Sequence, residues 1–263
     1  MAPRRALVRR PGPRLDEGIV TNIARVPVDD RLAVEQWDRY LAAFASSGWD
    51  LLEVPPADDC PDAVFVEDAM VVFRNVAVIT RPGAESRRPE TVEIDKVAES
   101  LGLSLNRIVA PGTLDGGDVL KVGNTIYVGR GGRTNAEGVK QLRAILTPLG
   151  ATVVAVPVRK VLHLKSAVTA LPDGSVVGFP PLVDDPAFFP HFVPVPEESG
   201  AHVVDLGGGR VLMAADCPES ARLVGSLGYD VVAVDISEYQ KLEGCVTCLS
   251  VRIRAMHGSG GFR

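Results

Sequence analysis

The stretch 119–158, VLKVGNTIYVGRGGRTNAEGVKQLRAILTPLGATVVAVPV, contains one complete strand–strand–helix–strand unit. It begins with a predicted β-hairpin that turns at Gly123-Asn124, a pair typical of short hairpin connections. Thr134 and Glu137 then predict a capping box, and apolar residues follow at helical spacing. The unit ends in an apolar run that predicts a further strand. This order predicts a hairpin joined to one helix and one returning strand.

The same pattern recurs along the chain at a period of about 40–50 residues, which is the spacing of a repeat architecture. The unit that follows the third hairpin is degenerate, because its proline-rich stretch 179–196 can hold only a short helix. A last strand, 249–254, has no hairpin partner after it, and residues 6–9 near the N-terminus could supply one. The predicted hairpins span residues 69–80, 119–129, 166–179 and 203–214.

Five such units predict an α/β fold, a single-domain five-bladed propeller of ββαβ units. Hairpins alternate with single helices, which fits a closed ring better than a doubly wound sheet, and closure by the N-terminal strand removes exposed edges. The domain is predicted to span residues 1–254, with residues 255–263 as a flexible C-terminal tail. In such a ring the loops at one end converge on the axis.

Composition narrows the class of protein. The chain has 263 residues, 46% of them hydrophobic and 23% charged, which is enough for a sizeable core. The net charge of -5 argues against a nucleic-acid partner, which needs a basic face. No apolar run reaches the roughly 18–20 residues of a membrane span, and no signal-peptide pattern follows the basic start. With four scattered cysteines and no disulfide framework, the sequence predicts a soluble cytoplasmic protein.

Unusual residues gather in the loops before the predicted strands. If the units are equivalent, these loops meet and bring together several carboxylates, one histidine and one thiol. The loops are DAVFVED at 62–68, LDGGD at 114–118, HLK at 163–165 and GCVTC at 244–248.

Six motifs between residues 6 and 254 resemble, in order and with few gaps, the dimethylarginine dimethylaminohydrolases of the guanidino-group-modifying superfamily. The resemblance implies a five-bladed pentein propeller and the hydrolysis of methylated arginine to citrulline and an amine. It implies a small-molecule methylarginine as partner and neither a metal nor an organic cofactor. The motifs are FVED at 65–68, TRPGA and SRR at 80–88, LDGGD at 114–118, RTN at 133–135, LHLKS at 162–166 and TCLS at 247–250.

The resemblance implies that Cys248 is the nucleophile and His163 the acid/base. It implies that Asp68 and Asp115 hold the guanidinium, with Glu67 beside them. The chemistry of these residues agrees, because a thiolate is a strong nucleophile near neutral pH and carboxylates bind a cation by charge-assisted hydrogen bonds. A bound cation would in turn stabilise the thiolate.

Further residues are implied to bind the amino-acid end of the substrate. Arg87 and Arg133 match the arginines that hold its carboxylate. Asp62 matches the acid that receives its α-amino group, helped by the main-chain carbonyls of Leu15 and Leu242. Leu15 lies in a segment that resembles a mobile lid.

Phe65 and Cys245 are implied to line the pocket. Position 245 departs from the family pattern, where leucine or glycine is frequent, and adds a second oxidisable thiol. Cys245-x-x-Cys248 also fits a redox pair or half of a zinc site, but the sequence has no second pair with this spacing. Asp118 is expected to be structural.

The sequence leaves other functions open. Arginine deiminases share the chemistry, but they are longer and carry an acid two residues after the histidine, where this chain has Lys165. The missing acid favours a methylated guanidinium. An amidinotransferase and a non-catalytic relative that binds an arginine analogue are the remaining alternatives, and a homodimer stays open as well.

Overall fold

Five three-stranded sheets follow one another along the chain. The computed structural model describes residues 4–254. The strands are β1 Arg4–Val8, β2 Asp50–Glu53, β3 Met70–Phe73, β4 Val76–Ile79, β5 Ser104–Arg107, β6 Val119–Val122, β7 Thr125–Arg130, β8 Thr152–Pro157, β9 Val168–Ala170, β10 Val176–Gly178, β11 Phe192–Pro194, β12 Val204–Gly207, β13 Arg210–Ala214, β14 Asp230–Val234 and β15 Val251–Arg254. The α-helices are α1 Asp30–Ser46, α2 Ile94–Ser100, α3 Ala136–Leu146, α4 Pro218–Ser226 and α5 Ser237–Gln240.

Each sheet repeats one topology. A central strand pairs antiparallel with one neighbour and parallel with the other, as β7 does with β6 and β8. The parallel partner needs a crossover connection, and helices supply it in four of the blades. The five-bladed α/β propeller predicted from the repeats is confirmed, with sheet orders β3-β4-β5, β6-β7-β8, β9-β10-β11, β12-β13-β14 and β15-β1-β2.

The two ends of the described chain complete one blade. Strand β1 pairs antiparallel with β15, placing Arg5 opposite Ile253, and pairs parallel with β2. The predicted closure is therefore confirmed, although β15 starts at Val251 rather than at residue 249. The predicted tail at residues 255–263 lies outside the described residues.

The blade between β9 and β11 differs from the others. Between β10 and β11 the chain forms only the short 3-10 turns Pro180–Leu182 and Pro186–Phe188. Prolines lack the N–H that continues an α-helix, so only short turns form here, as the sequence predicts.

The predicted capping box of α3 is wrong by one residue. Asn135 caps the helix, and its side chain accepts a hydrogen bond from Gly138 N at 2.8 Å. The Thr134 hydroxyl donates instead to the buried Asp118 carboxylate at 2.5 Å. Asp118 lies in a neighbouring loop, so the residues around Thr134 do not indicate this contact. Because the threonine hydroxyl bonds to Asp118, it does not cap the helix. The four-residue helix α5 was not predicted either.

Helix α1 connects the core to the loop at 245–248. Its buried aromatic residues Trp37, Tyr40 and Phe44 lie on one face and pack against the sheet of β1. Burial of such side chains stabilises the fold by about 1.5–3 kcal/mol each. The Tyr40 hydroxyl also donates to the carbonyl of Val246 at 2.9 Å, which anchors that loop. Within residues 4–254, no helix has the length and apolarity needed to traverse a bilayer.

Candidate active site

Short turns that precede the inner strands of neighbouring blades are hydrogen-bonded to one another. Three of these turns are the 3-10 segments Val66–Ala69, Gly116–Asp118 and Leu164–Ser166. The bonds run from Gly117 N to Asp68 Oδ1 at 2.7 Å, from Leu164 N to Asp118 Oδ1 at 2.9 Å and from Glu67 N to the Cys248 carbonyl at 3.1 Å. The predicted loops therefore meet at one place.

A narrow cavity lies where these turns meet. Ile19, Leu162, Glu243 and Gly244 complete its wall. Of the residues proposed from the sequence, the structure places eight on this wall: Asp62, Phe65, Asp68, Arg87, Arg133, His163, Leu242 and Cys248. The other four lie off it: Leu15, Glu67, Asp115 and Cys245.

His163 lies between two carboxylates. Its Nε2 is 2.9 Å from Asp115 Oδ2 and 3.9 Å from Asp68 Oδ1. Burial by itself lowers the pKa of His163, but the negative charge of Asp68 and the hydrogen bond to Asp115 outweigh it and raise that pKa to about 9. At neutral pH the side chain is an imidazolium that borders the cavity beside Cys248, and it can donate a proton there.

Asp115 contacts His163 and is not on the cavity wall. The residue is completely buried, and its Oδ1 accepts a hydrogen bond from Gly83 N at 2.8 Å while its Oδ2 faces His163. Both oxygens are thus in use behind the imidazole. This placement differs from the predicted contact between Asp115 and the guanidinium of a substrate.

Arg87 joins two buried carboxylates. Its guanidinium donates to Asp68 Oδ2 at 2.7 Å and to both oxygens of Glu90 at 2.9 and 2.8 Å. Burial alone would raise the pKa of Asp68, but His163 and Arg87 hold it below its ordinary value, so this carboxylate is ionised. The neighbouring Arg88 pairs instead with Glu85 at the surface.

Arg133 offers an unsatisfied donor. Its Nη1 is buried and has no hydrogen-bond partner among residues 4–254. Its Nη2 makes one long contact with Thr21 Oγ1, at 3.5 Å. A buried cationic donor without an acceptor is costly, so this nitrogen is open to an anionic partner.

Two carboxylates hold residues 19–22, which are called the covering segment below because Ile19 is part of the cavity wall. Asp62 accepts hydrogen bonds from Ile19 N at 3.0 and 3.2 Å, and burial raises the pKa of Asp62. Glu243 accepts from the backbone N–H groups of Thr21 and Asn22 at 2.5 and 3.0 Å. The enclosed space is about 20 Å³, enough for one water molecule. A ligand the size of an amino acid is larger than this space.

Leu15 and Leu242 both lie next to Gly18, where an added Cβ would be 3.2 Å from the Leu15 carbonyl oxygen and 3.2 Å from Leu242 Cδ2. Leu15 is buried at the start of the 3-10 turn Leu15–Glu17, and its carbonyl accepts from Gly18 N at 3.0 Å. Leu242 is on the cavity wall, and no donor within residues 4–254 bonds to its carbonyl. Among the described residues, the Leu242 carbonyl keeps both acceptor positions and the Leu15 carbonyl keeps one.

Glu67 belongs to an ion-pair network outside the cavity. Its Oε1 accepts from Lys165 Nζ at 2.5 Å and from Arg252 Nη2 at 2.7 Å. Together with Lys165 and Arg252 it lines a different space. The structure thus separates Glu67 from Asp68, its neighbour in the sequence.

Cys248 and Cys245 form a close pair of thiols. Their sulfur atoms are 3.2 Å apart, and Cys245 Sγ also lies 3.2 Å from Thr247 Oγ1. The hydrogen bond between the sulfurs lowers the pKa of Cys245 to about 5 and raises the pKa of Cys248. Of the two thiols, Cys245 is therefore the more easily ionised and Cys248 the more strongly protonated.

Phe65 forms the apolar part of the wall. Its ring packs edge-on against Tyr239, with the centroids 6.3 Å apart. The ring also presses on Gly244, where an added Cβ would lie only 2.3 Å from Phe65 Cε1. Glycine at position 244 is what allows the aromatic side chain to reach the cavity.

The comparison with known proteins agrees with this geometry. A dimethylarginine dimethylaminohydrolase of Streptomyces coelicolor is 67% identical to this chain over 257 residues, which is 98% of this chain and 100% of the relative. The chain belongs to the dimethylarginine dimethylaminohydrolase family. The family member from Pseudomonas aeruginosa is 37% identical over 250 residues, covering 94% and 98% of the two chains. No family model matches the chain.

Solved structures of dimethylarginine dimethylaminohydrolases share the fold. A cysteine-to-serine mutant of the Pseudomonas aeruginosa enzyme, complexed with citrulline, matches with a TM-score of 0.89 at 37% identity over 96% of this chain and 100% of its own. A histidine-to-glycine mutant, as an adduct with S-methyl-L-thiocitrulline, has the same TM-score at 36% identity and the same coverage. The N-terminal domain of ArgZ, an arginine dihydrolase from cyanobacteria, matches with a TM-score of 0.85 at 20% identity over 96% and 98% of the chains, which shows the fold alone.

Two acidic residues of this dimethylarginine dimethylaminohydrolase site were missed from the sequence. Glu90 accepts hydrogen bonds from Arg87 with both carboxylate oxygens. Glu243 accepts hydrogen bonds from the backbone of the covering segment. The spacing Arg87-x-x-Glu90 was a local signal for the first pair. Glu243 gave none, because its partners lie more than 200 residues away in the sequence.

The same site contains the one metal-compatible cluster found among residues 4–254. Ligand atoms of Asp68, Asp115 and His163 lie within 4.8 Å of one another. Arg87 pairs with Asp68, and the imidazolium lies between Asp68 and Asp115, so cationic side chains already face these carboxylates. The arrangement suits a protonated histidine held between carboxylates.

A wider groove of about 610 Å³ adjoins the cavity and shares Leu162, Glu243 and Gly244 with it. The thiols and the imidazole of His163 are not on the wall of this groove, so the chemistry belongs to the smaller space.

Proposed function

We propose that this chain hydrolyses Nω-methylated or Nω,Nω-dimethylated L-arginine to L-citrulline and methylamine or dimethylamine. The observation that carries the proposal is one narrow cavity whose wall holds the Cys248 thiol, the His163 imidazolium and the Asp68 carboxylate. The names of the family members from Streptomyces coelicolor and Pseudomonas aeruginosa support the reaction.

Substrate recognition follows from the charges on the cavity wall. Asp68 binds the guanidinium and fixes its plane by charge-assisted hydrogen bonds. Arg133, through its Nη1 donor, and Arg87, which lies beside Asp68, bind the carboxylate of the substrate. A guanidinium can donate two parallel hydrogen bonds to this planar group, which a lysine ammonium cannot. Asp62 and the Leu242 carbonyl receive the α-amino group. The covering segment opens first, since Asp62 is occupied by it in the closed form.

The substrate cation activates the nucleophile. Cys248 is protonated in the ligand-free site, and the positive guanidinium carbon stabilises its thiolate once the substrate is bound. The sulfur of Cys245, 3.2 Å away, is within reach to accept the proton. The thiolate then attacks the guanidinium carbon, which forms the C–S bond.

His163 then transfers protons in two steps. It first donates its proton to the departing amine, so that the C–N bond breaks and a covalent thiouronium remains on Cys248. The neutral imidazole next takes a proton from water, whose oxygen attacks the same carbon and releases Cys248 and citrulline. Such acid/base assistance accelerates a reaction by about 10²–10⁴-fold. The scheme needs neither a metal nor an organic cofactor.

Asp115 acts here as a positioning residue. Fully buried behind the imidazole, it fixes the ring and stabilises the imidazolium through the 2.9 Å contact. In this proposal the guanidinium is held by Asp68, and Asp115 acts through His163.

The preference for methylated over unmodified arginine is supported by Lys165. Its Nζ binds Glu67 outside the cavity, so no acid at this position faces a guanidinium nitrogen. A higher kcat/KM for asymmetric dimethylarginine than for arginine is expected from citrulline release, and equal values would favour an arginine deiminase. A new guanidino product formed with glycine as acceptor would favour an amidinotransferase.

Substitution of the nucleophile gives the direct test. Cys248→Ser is expected to bind the substrate and lose turnover, because a serine hydroxyl is not ionised near neutral pH. Cys217→Ser, which changes a buried thiol in another blade, is the matched control and should keep its activity. Mass spectrometry of the wild-type protein quenched during turnover should detect an adduct on Cys248. An active Cys248→Ala variant, or no citrulline from the wild type, would contradict the proposal.

A cytoplasmic location and a homodimer remain proposals. The four cysteines are free in the structure, which suits a reducing compartment. Light scattering of the purified protein measures the number of subunits.

A further inference from the structure

Cys245 brings a second thiol to the nucleophile that the hydrolysis does not consume. The two sulfurs are 3.2 Å apart, and a disulfide bond of about 2.05 Å needs them to approach by only about 1 Å. We propose that Cys245 and Cys248 are an oxidation site, at which a hydroperoxide forms an intramolecular disulfide that blocks the nucleophile reversibly.

The local backbone favours this bond. Cys248 N donates to the Cys245 carbonyl at 3.0 Å, which closes a tight turn and directs both side chains to one side. The Cys245 N–H also points at Cys248 Sγ, at 3.4 Å. Cys-x-x-Cys turns of this kind form reversible disulfides in oxidoreductases. The other buried thiols lack such a neighbour within the described part of the chain, and Cys217 Sγ, for example, contacts the Ala214 carbonyl.

The two thiols differ in access. Cys248 is half-buried and lies on the wall of the cavity, whereas Cys245 is 3% exposed and lies behind it. Of the two sulfurs, only that of Cys248 is on the wall of the cavity through which a small oxidant reaches the pair. Peroxide therefore meets Cys248 first.

The reaction balances in two steps. Cys248 passes its proton to the Cys245 thiolate 3.2 Å away, and the Cys248 thiolate attacks one oxygen of the peroxide, forming S–O and breaking O–O. The second oxygen leaves as hydroxide and takes the proton back from Cys245 as water, which restores the Cys245 thiolate. The Cys245 thiolate then attacks the sulfur of the Cys248 sulfenic acid, forming S–S and breaking S–O, and hydroxide leaves. The two electrons lost by the sulfurs reduce the peroxide. The low pKa of Cys245 supplies the thiolate that the second step requires.

The disulfide protects the nucleophile from further oxidation. A sulfenic acid without a neighbouring thiol proceeds to the irreversible sulfinic acid. With Cys245 in place, the oxidised enzyme is inactive but is restored by a thiol reductant.

Peroxide treatment of the full chain tests the proposal with two independent measurements. Trypsin releases both cysteines in one peptide, residues 242–252, because cleavage follows Lys241 and Arg252. We expect this peptide to lose about 2 Da, and hydrolysis to be lost and then recovered almost completely with dithiothreitol. In Cys245→Ser the peptide should gain about 32 Da, the mass of the two oxygens of a sulfinic acid on Cys248. The activity that peroxide removes, relative to the untreated variant, should not return with dithiothreitol. Cys217→Ser should behave as the wild type.

The outcomes separate this proposal from the proposed function. A wild-type peptide that gains oxygen without forming the disulfide, or a Cys245→Ser variant that recovers as fully as the wild type, would overturn the inference. A disulfide formed without loss of hydrolysis would support the thiol pair and contradict Cys248 as the nucleophile.

Discussion

Asp115→Asn tests how the protonation of the catalytic histidine is set. The carboxylate is completely buried and contacts Gly83 N at 2.8 Å and His163 Nε2 at 2.9 Å. Asparagine has nearly the same shape and can still accept from Gly83 N through its carbonyl oxygen. The substitution therefore removes the charge beside the imidazole and leaves the packing in place.

The size of the effect follows from this one contact. A hydrogen bond to a charged group contributes about 1.5–3 kcal/mol, and about 1.4 kcal/mol corresponds to one pKa unit. The pKa of His163, about 9 in the wild type, should fall by about 1–2 units in the variant, while Asp68 still supplies its charge.

The stabilisation contributed by His163 decreases as the pH rises. The folded protein raises the pKa of His163 above its unfolded value of about 6.5, so the stabilisation by the imidazolium is complete below about pH 6.5. It is lost as the pH rises through about 9. In Asp115→Asn this loss, and with it the alkaline fall of kcat/KM, should occur about 1–2 pH units lower.

Citrulline release measured from about pH 6 to about pH 10 gives the kcat/KM profile of the free enzyme. Titration of the His163 imidazole by NMR reports the same group without catalysis, and thermal unfolding at each pH confirms that the protein is folded. Asp38→Asn, which removes one exposed carboxylate from α1, controls for net charge. If the folded Asp115→Asn enzyme keeps the alkaline limb of the wild type, the assigned role of Asp115 is refuted.

Two further changes test the walls of the cavity. Arg133→Gln removes the unpartnered donor Nη1, and KM for dimethylarginine should rise by about 10–100-fold with a small change in kcat; an unchanged KM would show that the substrate carboxylate binds elsewhere. Gly244→Ala places a Cβ 2.3 Å from Phe65 Cε1 and should lower the free energy of unfolding by about 1–3 kcal/mol and reduce kcat/KM. Gly225→Ala, where a Cβ meets nothing within 4 Å, should not destabilise the protein, and equal melting temperatures for the two variants would contradict this reading of position 244.

Local sequence determined the blades of this protein. The turn pairs, the period-two strands and the glycines at helix ends depend on the backbone preferences of neighbouring residues, so the hairpins and four of the helices could be predicted. The order of the units then predicted the ring. The residues that carry chemistry could be named because their motifs precede the strands of successive units.

Which atoms meet was decided only by tertiary structure. Asp115 and His163 are 48 residues apart, and nothing local indicates that this carboxylate lies behind the imidazole instead of against the substrate. Thr134 bonds to Asp118 rather than capping its own helix for the same reason. Glu67 and Asp68 are adjacent in sequence, yet successive side chains point to different sides of the chain, and only Asp68 reaches the cavity.

The charge state of each group was also a tertiary property. The sequence gives a histidine and a thiol with ordinary pKa values, and the structure raises the pKa of His163 and that of Cys248 through buried neighbours. Burial and distance set these shifts, because electrostatic interactions strengthen as water is excluded and charges approach. Sequence patterns record the secondary-structure propensity of residues and their spacing along the chain. The distances between side chains of different blades are set only when the five-bladed ring closes.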